Sequence, residues 1–158
     1  MIQRIQSLYL LMAAVLMALA LFTPLATLFG DGESVRLTAW GFEHMVQDNP
    51  PQLLVPTLHM GILIGLSALL PFVTIFLFKK RTVQIRLCYV SIVLLGGAQL
   101  MIAWYLWQAR SVVNEFAANA MAMTMADVMP VVSIVFVIMA LRGVIHDEAL
   151  VRSLDRIR

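Results

Sequence analysis

Four apolar stretches, each long enough to cross a bilayer, constrain this chain more than any other feature. A spanning helix needs roughly 20 predominantly apolar residues to cover a hydrocarbon core about 30 Å thick. Such stretches run over residues 8–29, 53–78, 85–108 and 116–141. The first carries no charge, and the second stops at Lys79, Lys80 and Arg81. The third ends in Trp104, Tyr105 and Trp107, side chains that settle at membrane–water interfaces. The fourth has its densest apolar run from Val128 to Leu141, completed by the weaker segment 116–126. Of the 158 residues, 61% are hydrophobic and only 13% charged, about half the charged share of a soluble domain. The sequence therefore predicts an all-α integral membrane protein, a four-transmembrane-helix bundle forming a single membrane domain over residues 1–158.

Orientation follows from the basic residues. With the N-terminus inside, the inner side holds Arg4, Lys79, Lys80, Arg81, Arg86, Arg142, Arg152, Arg156 and Arg158, nine of the eleven. Arg36 and Arg110 fall outside, with Asp31, Glu33, Glu43, Asp48, Glu115 and Asp127. Basic residues are retained in the cytoplasm, so both termini are expected there, with an outer loop at 30–52 and a cytoplasmic tail at 142–158. The short turn after the second span makes spans two and three antiparallel neighbours. Alternation of Val35, Leu37 and Ala39 with Arg36, Thr38 and Trp40 has the pattern of a short strand in the loop, which Pro50-Pro51 ends. Arg4 ahead of an apolar run containing Ala18-Leu19-Ala20 resembles a secretory signal. The run continues past that triplet through Leu25 and Leu28, so it is read as a retained span.

The tail reads as an amphipathic helix continuing from the fourth span. Val144, Leu150, Val151, Leu154 and Ile157 share one face, and Arg142, His146, Glu148, Arg152, Asp155 and Arg156 occupy the other. That pattern fits a helix docked on a partner protein, a helix on the inner leaflet with Arg152 and Arg156 near anionic headgroups, or a solvated extension.

An ionisable residue inside a bilayer is a functional candidate because placing a charge there is costly. At 1.5 Å per residue, Asp127 stands about 22 Å above Arg142, Gln99 about 20 Å above Arg86, and His59 about 28 Å above Phe78. Asp127 and Gln99 are thus expected at similar depth, and with His59 they form a candidate proton or cation site. The competing reading makes Asp127 the N-cap of a shorter fourth helix, just ahead of Met129 and Pro130. Gly61 and Gly65 form a GxxxG pair that admits close helix approach, from Ala14 and Ala18 of the first span or from a second chain. Pro71 and Pro130 are expected to kink their helices.

Metal and redox chemistry find little support. The lone Cys88 excludes an intrachain disulfide, a CxxC pair and a cysteine-based zinc site, and reads as a buried thiol rather than a lipidation site. Met121, Met125 and Met129 recur at i, i+4 and i+8, one face of a helix. Thioethers select Cu(I), and His44 and Met45 belong to the same side, but methionine is equally a packing residue. No metal and no cofactor are expected, with Cu(I) handling a remote alternative.

The segments MIQRIQSLYLLMAA, FLFKKRTVQIRLCY and RGVIHDEALVRSLDRIR resemble those of an uncharacterised family of small four-span inner-membrane proteins of Bacteroidota-type bacteria, a domain of unknown function. The resemblance spans the whole chain and implies four spans and a bacterial inner-membrane location. It assigns no catalytic residue.

An enzyme is not expected, since no Ser-His-Asp set, no diagnostic metal spacing and no phosphate loop occurs. A net charge of +2 gives nucleic acid no basic patch to bind. What remains is an accessory or scaffolding membrane subunit acting through helix, loop or tail contacts. Its partners are the lipid bilayer and a membrane protein or a second copy of the chain. A small transport or ion-linked component using Asp127 is the alternative.

Overall fold

The chain builds four long helices, α1 (Ile2–Phe22), α2 (Leu58–Phe76), α3 (Arg81–Glu115) and α4 (Met129–Asp155). They are seen in a computed structural model that describes residues 2–29, 33–46, 52–77, 80–115 and 120–155. Apart from Ala14, Gly61, Leu106 and Leu141, which are also buried, their buried positions alternate spacings of four and three. In α1 these are Gln6, Leu10, Ala13, Met17 and Ala20; in α2, Met60, Ile64, Ser67, Pro71 and Thr74. In α3 they are Gln84, Cys88, Ser91, Leu95, Ala98, Ile102 and Tyr105; in α4, Pro130, Ser133, Val137, Ala140 and Val144. A mean period of 3.5 residues keeps one stripe facing its neighbours, the geometry of left-handed bundles. Each helix packs on two others, α1 and α3 both lying between α2 and α4.

Many seam residues are small or carry hydroxyls. Ser67, Thr74 and Ser91 donate to the carbonyls of Leu63, Leu70 and Leu87, four residues earlier, at 2.8, 2.7 and 2.8 Å. Ser133 Oγ donates across to the Ala13 carbonyl at 3.4 Å. The hydroxyls are thereby satisfied where water is absent, as buried polar groups must be. Large apolar side chains point the other way: Leu8, Val15, Leu66, Leu69, Val93, Leu100 and Val135 are all exposed. All four helices are long and apolar enough to cross a membrane.

The fold is not all-α. Five short strands form one antiparallel sheet in the order β4-β3-β2-β1-β5. They are β1 (Ala26–Phe29), β2 (Glu33–Leu37), β3 (Gly41–Val46), β4 (Gln52–Pro56) and β5 (Ala120–Met123). The sheet caps the end of the bundle where α1 and α3 finish and α2 and α4 begin. Ala26, Leu37 and Phe42 lie on one row and Leu28 and Val35 on the next, and all five join the helical core. The expected strand at 34–42 is in fact a hairpin. Thr38 closes its turn, with N–H donating to the Gly41 carbonyl at 2.9 Å and Oγ1 donating to the same oxygen at 3.0 Å.

The sheet corrects the expected spans. The first helix ends at Phe22, because Pro24 offers no N–H and disfavours helix at Thr23; the apolar residues after it become β1. Residues 53–56 are strand, so α2 starts at Leu58. The described part of the segment 116–126 is not a helical extension of the fourth span. Residues 116–119 lie outside the described residues, and the rest forms β5 and the start of a 3-10 turn, Met125–Val128. Pro130 falls in the first turn of α4, where its missing N–H has no helical partner to lose, so it breaks nothing. Pro71 does lie inside α2, buried on the seam. Pro50-Pro51 lies outside the described residues.

Gly61 is where the sheet meets α2. A Cβ there would sit 3.0 Å from both the Ala39 carbonyl oxygen and the Trp40 ring, whereas one on Gly65 would meet nothing within 4 Å. Gly61→Val is therefore expected to lower unfolding stability in detergent by about 1–3 kcal/mol through overpacking. Gly65→Ala is expected to be neutral or stabilising, since alanine favours helix. Equal effects at the two glycines would contradict this packing.

Candidate functional site

At the sheet end, α2 begins under the β2–β3 turn. Thr57 is fully buried; its N–H donates to the Trp40 carbonyl at 2.9 Å and its Oγ1 to the Ala39 carbonyl at 3.4 Å. Two residues on, His59 Nε2 hydrogen-bonds Tyr105 Oη of α3, and the Tyr105 ring meets Phe42 of β3 edge-on at 6.3 Å. Tyr105 is thus a joint between α2, α3 and the sheet. Its place on the four-three spacing of α3 separates it from the expected aromatic belt. It is 9% exposed, whereas Trp104 and Trp107 are 64% and 71% exposed.

Asp127 sits in the 3-10 turn that leads directly into α4. The turn is fixed from both sides, since Thr124 N–H donates to the Leu25 carbonyl and Asp127 N–H to the Thr124 carbonyl, each at 3.1 Å. The Asp127 side chain neighbours that of Gln99 on α3. The expected meeting of these two residues is therefore present, but His59 is engaged with Tyr105 instead of completing a trio. Asp127 Oδ1 and Gln99 Oε1 are both buried without a hydrogen-bond partner. Asp127 is within the turn rather than at the N-cap position expected of it, and its side-chain neighbour is Gln99.

The methionines do not share a helical face. Met121 is in β5, Met125 is in the 3-10 turn and 84% exposed, and Met129 begins α4, because 120–126 is not α-helix. No group of three His, Cys, Asp or Glu side chains able to hold a metal occurs among the described residues. Cys88 is fully buried on the seam. Gly65, with Ala14, Ala18, Ala68, Leu11, Val15, Leu69 and Phe72, lines an open apolar groove of about 380 Å³ between α1 and α2. The two glycines expected to act together thus have different settings, Gly61 against the sheet and Gly65 on the groove.

At the opposite end, the tail continues from the fourth span as a helix, as expected. α4 runs unbroken to Asp155 and Val144 is buried in the bundle. Gln6 Nε2 of α1, itself only 5% exposed, donates to Asp147 Oδ2 at 2.8 Å. Arg81 Nη1 of α3 donates to the Asp147 carbonyl at 3.1 Å. This knot joins the two terminal helices to the start of α3, and Gly143 makes room for it, since a Cβ there would lie 2.9 Å from the Gln6 side chain. Leu150 and Val151 are exposed by 49% and 43%. Arg152 and Leu154 belong to α4, while Arg156 and Ile157 lie outside the described residues. Gln6 and Asp147 were absent from the sequence-derived candidates, although Gln6 continues the spacing of Leu10, Ala13 and Met17.

The chain belongs to the family described as Domain of unknown function (DUF4293), which matches residues 2–157. No curated protein matches it.

Asp147→Ala is expected to destabilise the protein by about 1–3 kcal/mol, because it leaves the buried Gln6 amide unpaired. Tyr105→Phe keeps the ring packing and removes only the bond to the exposed His59, for a loss of about 0.5–1.5 kcal/mol. Thermal or denaturant unfolding of the two purified variants checks the ranking.

Proposed function

We propose that this protein is a non-enzymatic accessory or scaffolding subunit of a bacterial inner membrane, crossing it four times with both termini in the cytoplasm. The α1–α2 groove carries the reading. Ala14, Ala18, Gly65 and Ala68 line it, small residues of the kind that let helix backbones approach closely in lipid. Gly65 faces open space, so the chain's own helices do not use it. A transmembrane helix of a partner protein, or of a second copy, fills such a groove with the packing that lipid-embedded helices rely on. The remaining exposed helix faces, rich in Leu, Val and Phe, meet the acyl chains. The excess of basic residues at the terminal end supports the orientation.

Two measurements test this. In the first, Glu43→Cys and Glu148→Cys are labelled with a membrane-impermeant maleimide, the native Cys88 being buried. Glu43→Cys is expected to react in intact spheroplasts and Glu148→Cys only after lysis; the reverse pattern inverts the orientation. In the second, a photo-crosslinker at Leu69 is expected to give one adduct of defined mass that Gly65→Leu abolishes without lowering the unfolding temperature. An adduct of twice the chain mass identifies a second copy, and lipid adducts alone refute the helix-docking role. Truncation after Ala149, which spares the Asp147 knot, shows whether the end of α4 contributes to the same contact.

A further inference from the structure

The two unpartnered oxygens beside the 3-10 turn are one proton short of a complete pair. Asp127 Oδ1 and Gln99 Oε1 are both acceptors, both buried and both without a donor, and the two side chains neighbour each other. An ionised aspartate can only accept. The Gln99 amide can then supply only a donor to it, and each side chain keeps a stranded oxygen, each a desolvation cost. Placing a proton on Oδ1 satisfies both at once. The new O–H donates to Gln99 Oε1, while the Gln99 amide N–H donates to the other carboxyl oxygen. The result is a closed acid–amide pair with two hydrogen bonds.

The surroundings favour the neutral form, since an isolated buried charge is costly without a counter-ion. The 3-10 turn packs on α4 and α1. α4 has no titratable side chain from Met129 to Leu141, and α1 has none from Leu10 to Phe22. On α3, the nearest such groups along the chain are Tyr105, which is bonded to His59, and Tyr89, more than two turns away. β1 and β5 carry none. Glu43 and Arg36 stand opposite each other in one row of the sheet. Arg36 alternates with the core-facing Val35 and Leu37, so it belongs to the sheet face turned away from the bundle. His44 lies on β3, two positions along from the core residue Phe42 and further towards the sheet's far end. Among the described side chains of these elements, no cation is placed to balance an Asp127 carboxylate.

We infer that Asp127 and Gln99 form a proton-binding site, in which Asp127 stays a neutral carboxylic acid at neutral pH and releases its proton only by breaking the pair. The reaction is the simple association of a carboxylate with a proton, and no other reactant is needed. The inference does not rest on the accessory role above. It gives the bundle one titratable element at the start of α4, and it predicts that asparagine, which carries its own N–H donor in place of the O–H, reproduces the pair at position 127.

Infrared spectroscopy of the full-length protein in lipid nanodiscs at pH 7 tests this directly. A protonated-carboxyl band is expected in the wild type, shifted in D₂O and missing from Asp127→Asn. Gln99→Leu is expected to keep the band but move it to higher frequency, because the acid loses its amide partner. Asp127→Asn is expected to unfold at the same temperature as the wild type or higher, while Asp127→Leu and Gln99→Leu unfold earlier. A wild-type spectrum without a protonated-carboxyl band at pH 7 overturns the proposal and leaves an ionised, water-bridged aspartate. A band unmoved by Gln99→Leu overturns it as well, since the pair would then not hold the proton. The wild-type and Gln99→Leu spectra decide the matter even if Asp127→Asn fails to fold.

Discussion

Close approach of four helix backbones along the seam is what the rest of the structure depends on. In water, burial of apolar area would hold such helices together, but here the outward faces are as apolar as the inward ones. Lipid tails offer Leu and Val the same environment as the bundle core, so helix association in a bilayer draws on van der Waals fit and hydrogen bonds. The seam is built accordingly. Alanines at 13, 20, 98 and 140 bring backbones close, and the hydroxyls of Ser67, Thr74 and Ser91 turn back onto their own helices. Ser133, by contrast, reaches across to another helix, at Ala13.

Both ends of the bundle supply what the seam lacks. At one end the sheet joins the ends of all four helices through pairings distant in sequence: β5, which precedes α4, pairs with β1, which follows α1. Backbone groups leaving the helices there are taken up by ladders and by the Thr57 and Thr124 bonds, which matters near a membrane because unpaired backbone polar groups are costly in lipid. At the other end the Gln6–Asp147–Arg81 knot performs the same task with side chains. Asp127 lies between the rigid sheet attachment of Thr124 and the first turn of α4. A change in its protonation therefore bears on the position of α4 rather than on a free loop.

The number of helices and their apolar length were legible because a run of some 20 apolar residues has few alternatives. The seam was less so, since hydropathy does not distinguish a buried alanine from a lipid-facing leucine; the four-three recurrence of small and polar residues was the usable signal. The sheet was hidden for a different reason. Strands such as Ala26–Phe29 and Ala120–Met123 are apolar runs of four residues, continuous with the neighbouring helical pattern, and a run that short carries no distinctive period. Their pairing partner lies almost a hundred positions away, beyond any local pattern. The Asp127–Gln99 meeting could be read from helical rise alone, whereas the His59–Tyr105 bond could not. Tyr105 sits between two exposed tryptophans, and only its seam position reveals that it turns inward.

The account's central claim is that the outward apolar faces of the helices are bathed in lipid while the sheet end stands in water. Single spin labels along the outer face of α3, at Tyr89, Val93, Leu100 and Trp104, measured in nanodiscs together with one at Glu43, test it most directly. The account predicts collision with dissolved oxygen and protection from a water-soluble nickel chelate at Val93 and Leu100, with the opposite balance at Glu43. Nickel access at Val93 and Leu100 equal to that at Glu43 would contradict a lipid-embedded bundle.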